Sequence, residues 1–294
     1  MSKKKLNNIA KDTNKFLVKY LKNQKRTDLI KPMSYGLLPG GKKIRSKIIY
    51  DIGQIFNINY QTIIAIGSAV ECIHAYSLIH DDLPCMDDDD LRRGKPSTHK
   101  KFGEATAILA GDALHDFAFQ LISENLKNIQ PKQNLKLINY LTKCTGHEGL
   151  AGGQSLDLLY ENKKLSKNKI IEMYNKKTGK LFEFSFAAPF ILKEEPLRRI
   201  NFSKNYGSVF GIIFQITDDI LDEINSFKEI GKTPGKDKKQ GKRTLLSVLG
   251  EKKAISFCEK LTSNFMKKHK AELKRNPILE QLLSLNIKKL KKIN

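Results

Sequence analysis

QTIIAIGSAVECIHAYSLIHDDLPCMDDDDLRR, residues 61–93, joins an apolar periodic run to a dense acidic and basic cluster. Ile63, Ile66, Val70, Ile73 and Ser77 recur at steps of three and four, the spacing that puts side chains on one face of an α-helix. His74 and Asp81, seven residues apart, share a face of that helix as well. Pro84 disturbs the helix and lets Asp87 turn back toward Asp81. Aspartates 87–90 then lead into Arg92 and Arg93, so anionic and cationic groups lie side by side.

Outward from this stretch the same periodicity occupies about 104–128, 133–147, 167–193, 197–223 and 251–270. Regular alternation bounded by Asn-Gly or Asp-Gly turns, the mark of hairpins, is not found. Breaks fall where Gly and Pro cluster: YGLLPGGKK (35–43), the stretch from Pro84 to Pro96, AGGQ (151–154) and GKTPGKDKKQGK (231–242). The sequence has no internal repeat, low-complexity linker or composition shift. It therefore predicts an all-α protein with residues 1–294 as a single domain.

Composition narrows the class. Hydrophobic residues make up 40% and charged residues 29%, which is globular rather than disordered. The formal net charge is +22, yet the lysines are dispersed, with no basic-aromatic stripe and no nucleic-acid-binding motif. A compositional bias explains that excess, and no nucleic-acid partner is expected; a salt-dependent shift assay on DNA and RNA checks this. Cys72, Cys85, Cys144 and Cys258 form no CxxC pair or zinc spacing, which fits free thiols in a reducing compartment. Cys85 reads as a small space-filling residue. The basic start lacks the apolar stretch of a signal peptide. FEFSFAAPFIL (182–192) contains Glu183 and is too short to span a bilayer. A soluble, cytoplasmic protein without stable membrane insertion is expected.

The second acidic cluster is DDILD (218–222). Asp218 and Asp222 are four apart, as are Asp219 and Glu223, and Gln215 joins the stripe of Asp218 and Asp222. Carboxylates stacked this way repel unless a cation joins them. Mg²⁺ suits both clusters because it takes carboxylate oxygen, keeps waters and completes its shell with substrate phosphate. Guanidinium groups such as Arg92 and Arg93 can fork onto phosphate oxygens. An EF-hand calcium loop does not fit the spacing. Alone, each cluster also reads as a solvated acidic segment; together, each beside an apolar helix, they point to metal-diphosphate chemistry.

At these residues the sequence resembles the short-chain trans-prenyl diphosphate synthases, most closely those of the bacterial farnesyl type. Six ordered motifs carry the resemblance: GGKKIR (40–45), ECIHAYSLIHDDLPCMDDDDLRRGKPSTH (71–99), FGEATAILAGDAL (102–114), KKTGKL (176–181), FQITDDILD (214–222) and GKTPGKDKKQGK (231–242). It implies an isoprenoid-synthase-type helical bundle around a central cavity, a likeness to homodimers, and Mg²⁺ (or Mn²⁺) as cofactor. It further implies head-to-tail condensation of isopentenyl diphosphate with dimethylallyl and then geranyl diphosphate, giving farnesyl diphosphate; the alternative is a geranylgeranyl diphosphate synthase.

Carried over by position, Asp81, Asp87 and Asp218 match metal ligands, with Asp82, Asp219 and Asp222 in support. Arg92, Lys177 and Lys232 match groups on the allylic diphosphate, with Lys242 nearby. Lys42, Arg45, His74 and Arg93 match the isopentenyl diphosphate site. Thr178 and Gln215 match polar groups near the developing carbocation, and with Lys177 they are the expected catalytic residues. Tyr76, five before Asp81, matches an aromatic floor that limits product length. Each also has a plain structural reading: a core histidine or tyrosine, a surface lysine, a glycine-capped turn. His80 is expected to be structural, and His99, His115, His147 and His269 carry no assigned role. After GKRT (241–244) the family usually continues with an aromatic residue and proline, where this chain has Leu245 and Leu246. A non-catalytic subunit of the same fold would be expected to lose aspartates, and none is missing.

Overall fold

The computed structural model describes residues 3–24, 27–38, 40–224 and 242–291. These divide into two compact units, one of residues up to Ile138 and one from Asn139 onward.

In the first unit, α1 (Lys3–Lys22), α2 (Ile30–Leu37), α3 (Ile44–Ile55) and α6 (Glu104–Asn125) all pack on α4 (Tyr60–Asp81). The Asn59 side chain caps α4, accepting from Gln61 N at 2.9 Å and Thr62 N at 3.4 Å. Although the sequence shows one apolar stripe, α4 is buried on most of its circumference from Thr62 to Ile73, as a helix with neighbours on all sides must be. It is long and apolar enough to cross a membrane, but 83% of that apolar window is buried inside the protein. That is the environment of a core helix.

One feature departs from the expectation of helices alone. β1 (Leu91–Arg92) and β2 (Lys95–Pro96) form a minimal antiparallel hairpin, with Leu91 opposite Pro96 and Arg92 opposite Lys95. Its two turn residues, Arg93 and Gly94, both have positive φ (54° and 73°), the backbone that two-residue hairpin turns require. The arginine at a position usually held by Asn or Asp hides this turn from sequence patterns. The short α5 (Thr98–Phe102) follows.

α7 (Pro131–Thr145) contains the boundary between units. The second unit continues with α8 (Leu150–Leu159), α9 (Lys167–Tyr174), α10 (Lys180–Leu192), α11 (Leu197–Ile224), α12 (Leu245–Leu249), α13 (Glu251–Lys268), α14 (Lys270–Arg275) and α15 (Pro277–Lys291). The periodicity over 167–193 predicts one helix, whereas a π-helical turn, Asn175–Gly179, separates α9 from α10. Such single-turn widenings re-aim side chains and recur at functional sites. Every residue of α10 from Leu181 to Leu192 is buried, and α10 packs along α11.

Candidate active site

In the first unit the backbone beyond α4 folds back on the helix end. Asp87 N donates to Asp81 O at 2.8 Å, Asp88 N to Leu83 O at 3.0 Å and Asp89 N to Asp82 O at 3.1 Å. Asp87 thus returns to Asp81, as Pro84 leads one to expect. Asp82 is buried and held by Arg92, whose Nε donates to Oδ1 at 2.9 Å and whose Nη2 also bonds it. The same Nη2 reaches Asp89 Oδ2 at 3.1 Å. Burial pushes the Asp82 carboxyl up to about 6, against the opposing pull of Arg92. Burial also opposes the Arg92 charge, but Asp82 and Asp89 outweigh it and hold the guanidinium charged. The backbone bond from Asp87 to Asp81 places two carboxylate-bearing residues side by side at this helix end. An all-oxygen donor set of this kind fits Mg²⁺.

The hairpin sends the two arginines to different places. Arg93 lies over the Gly40–Gly41 turn, its Nη2 3.1 Å from where a Cβ on Gly41 would stand, and the positive φ of both residues (67° and 79°) is the backbone that favours glycine there. From that turn Lys42 is exposed and Arg45 half-buried in the first turn of α3. His74, on α4, feels the positive charges of Arg45, Arg93, Lys43 and Arg92. Burial first, and those cations second, hold its imidazole well below the usual value, so it is neutral. Of Lys42, Arg45, His74 and Arg93, expected to act together, His74 is linked by its field to Arg45 and Arg93, while Lys42 stands in solvent on the same turn.

Tyr76 is half-buried, its ring edge-on to His80 at 5.4 Å and to His115 of α6 at 5.1 Å. His80 Nε2 pairs with Ile108 O at 3.0 Å, the structural role expected of it. His99, given no role from sequence, has a ring nitrogen within 4.8 Å of carboxylate oxygens of Asp88 and Asp90. Lys100 already pairs with Asp90 at 2.8 Å.

In the second unit a polar chain runs through the expected catalytic residues. Thr178 Oγ1, on the π-helical turn, donates to Gln215 Oε1 at 2.6 Å, and Gln215 Nε2 donates to Asp219 Oδ1 at 2.9 Å. Asp218 and Asp222 are half-buried on the same helix, while Asp219 is buried. The polar chain extends to Tyr174, a residue no sequence motif marks: its OH donates to Asp219 Oδ2 and accepts from Leu245 N at 2.9 Å. Burial first, then Asp219, raises the Tyr174 hydroxyl well above its usual value, which keeps it a donor.

Asp157 was also missed. Its Oδ2 lies 2.5 Å from Lys177 Nζ and 3.8 Å from Lys242 Nζ, joining two of the expected cations. The signal was in AGGQ (151–154), read only as a break. Gly153 has no room for a Cβ, which would stand 2.1 Å from Lys177 N, so α8 closes on the π-helical turn and Asp157, one turn on, reaches Lys177. Lys232 lies outside the described residues.

Two aspartate clusters at helix ends, the first paired with Arg92 and the second joined to the Thr178–Gln215 chain, fit a class of helical enzymes that bind diphosphates. The match to known proteins is specific: residues 26–282 fit the polyprenyl synthetase family, and the chain belongs to it. It is 44% identical over 222 residues to farnesyl diphosphate synthase of Bacillus subtilis (strain 168), covering 75% of each chain. Geranylgeranyl pyrophosphate synthase 4 of Arabidopsis thaliana is 41% identical over 236 residues, 79% of this chain and 62% of the relative. The fold matches the crystal structure of a geranyltransferase from Helicobacter pylori complexed with magnesium and isoprenyl diphosphate. That match has a TM-score of 0.83, 29% identity and 99% coverage of both chains. The family is magnesium-dependent in general.

Proposed function

We infer that the protein is a prenyltransferase that condenses isopentenyl diphosphate with dimethylallyl and then geranyl diphosphate, releasing diphosphate and farnesyl diphosphate. The observation that carries this reading is the 44% identity to a bacterial farnesyl diphosphate synthase over three quarters of both chains. Incubating purified protein with Mg²⁺ and both five-carbon diphosphates, then chromatographing the dephosphorylated products, tests it. Farnesol is the expected product; geranylgeraniol would support the alternative, which the identity to a plant relative keeps in view.

The residues divide the work. Asp81, Asp87 and Asp218 are the ligands proposed for Mg²⁺, which when bound neutralises charge accumulating on the leaving diphosphate. Arg92, Lys177 and Lys232 bind the allylic diphosphate and stabilise the same charge. Asp157 fixes the Lys177 ammonium in position before substrate binds. Lys42, Arg45, Arg93 and the neutral His74 hold isopentenyl diphosphate. The allylic carbon–oxygen bond breaks, the isopentenyl double bond attacks the cation, and a proton is lost from the adduct to the departing diphosphate. Thr178 and Gln215 oxygens direct partial negative charge at the cation, and their mutual bond fixes both orientations. Tyr76 limits the length of the product.

The family match runs from residue 26 to 282 and so takes in both units, which supports their working as one catalytic domain. The family resemblance also favours a cytoplasmic homodimer, for which size-exclusion chromatography with light scattering is the direct measurement.

A further inference from the structure

We propose that Glu71 is a positioning residue that organises the isopentenyl diphosphate pocket through Lys43. This inference rests on the pocket assignment above and adds two residues to it. Glu71 lies one helical turn before His74 on α4 and is only 4% exposed. Its Oε1 accepts from Ser46 N at 3.3 Å and is 3.1 Å from Ser46 Oγ, while Oε2 lies 3.7 Å from Lys43 Nζ. Lys43 is itself 5% exposed and donates to Leu37 O at 2.9 Å.

A buried ammonium and a buried carboxylate are each unfavourable alone and tolerable together. Burial lowers the Lys43 ammonium, Glu71 opposes that, and Arg93 adds to the lowering. Arg93, similarly lowered by burial, is also supported by Glu71. The carboxylate therefore offsets repulsion among cations gathered for an anionic substrate.

The geometry shows why this bears on binding. Lys43 caps α3 in the left-handed conformation, φ 44° and ψ 48°, between exposed Lys42 and half-buried Arg45. Non-glycine residues stay in that region only when their surroundings hold them. The Glu71 pair and the Leu37 carbonyl hold the Lys43 side chain inward. The turn is thereby fixed, with Lys42 and Arg45 on either side of it. Ser46 ties the first turn of α3 to the same carboxylate. Glu71 reaches no substrate atom in this scheme; it acts through Lys43.

Glu71→Gln tests the proposal because an amide oxygen still accepts from Ser46 but carries no charge for Lys43. KM for isopentenyl diphosphate should rise roughly ten-fold, with KM for the allylic substrate and kcat within about two-fold, the signature of lost binding rather than lost chemistry. Lys43→Met should reproduce that split, and the double variant should add little to either single change, because the two act as one unit. Calorimetric titration of isopentenyl diphosphate into the same proteins supplies the comparison independently of turnover. If wild type forms no condensation product, the parent reading fails, while the binding comparison still judges Glu71. An unchanged or tighter interaction in a folded Glu71→Gln protein, an equal rise for both substrates, or additive effects in the double variant overturns the proposal. Should Glu71→Gln not fold, the split in Lys43→Met decides.

Discussion

Replacing Tyr174 with Phe removes one oxygen and leaves the ring in place. In the structure that oxygen has two partners: it donates to Asp219 and accepts from Leu245 N at 2.9 Å. Tyr174, Asp219 and Leu245 are all buried, so water is poorly placed to substitute. Leaving the Leu245 N–H without its acceptor costs about 1–3 kcal/mol, and losing a hydrogen bond to a charged group costs about 1.5–3 kcal/mol. Relaxation recovers part of that sum, so a net loss of about 2–4 kcal/mol is expected. At roughly 2 °C per kcal/mol for a chain of this size, the melting temperature should fall by about 4–8 °C. Function should suffer as well, because Asp219 anchors Gln215 and Gln215 anchors Thr178. A loss of about 1.4 kcal/mol in transition-state stabilisation would lower kcat ten-fold. Circular-dichroism melts and steady-state kinetics on wild type and Tyr174→Phe measure the two effects. A melting temperature within 1 °C of wild type, with unchanged kcat, would refute the view that this hydroxyl joins Asp219 to the start of α12 (about 1 °C being well under 1 kcal/mol here).

Activity should vanish with EDTA and return with Mg²⁺ or Mn²⁺, and Asp81→Ala or Asp218→Ala should each lose orders of magnitude in turnover. Lys42→Ala and Arg45→Ala should mainly raise KM for isopentenyl diphosphate, whereas Arg92→Ala should impair the allylic substrate and ionisation; equal effects on both substrates would sink the division. Tyr76→Ala should shift products from fifteen carbons toward twenty or more, and a folded variant that still stops cleanly at fifteen removes Tyr76 as the floor. Burial pushes the Asp82 carboxyl up to about 6, above its usual value, despite Arg92. Folding therefore takes up a proton between about pH 4 and 6, so this group's contribution to stability falls as pH rises through that window and is flat above it. Denaturant titrations in EDTA should find that slope reduced in Asp82→Asn; an unchanged slope would assign it to other groups.

Much of the site is legible in the chain because local rules fix it. The three- and four-residue steps of α4, the turn-back at Pro84 and the i,i+4 spacing of Asp218 and Asp222 depend on backbone geometry within a few residues. The six ordered motifs then identify the family. Other features fall between local rules. Arg93 occupies a turn position with positive φ that sequence preference assigns to other residues, so the hairpin is invisible beforehand. The π-helical turn at Asn175–Gly179 keeps helical periodicity while shifting its phase, so residues 167–193 read as one helix.

The sequence by itself determined the helical class and the family, because these follow from periodicity and from motifs whose residues lie close together along the chain. Tertiary structure alone decided which charges meet. Asp157 is 20 residues from Lys177, Glu71 is 28 from Lys43 and Tyr174 is 45 from Asp219, so no local pattern pairs them. Their pairing is imposed by burial: once helix packing removes water, each charged or polar group must find its partner on a neighbouring element. Close approaches such as that of Gly153 to Lys177 determine which partner is within reach.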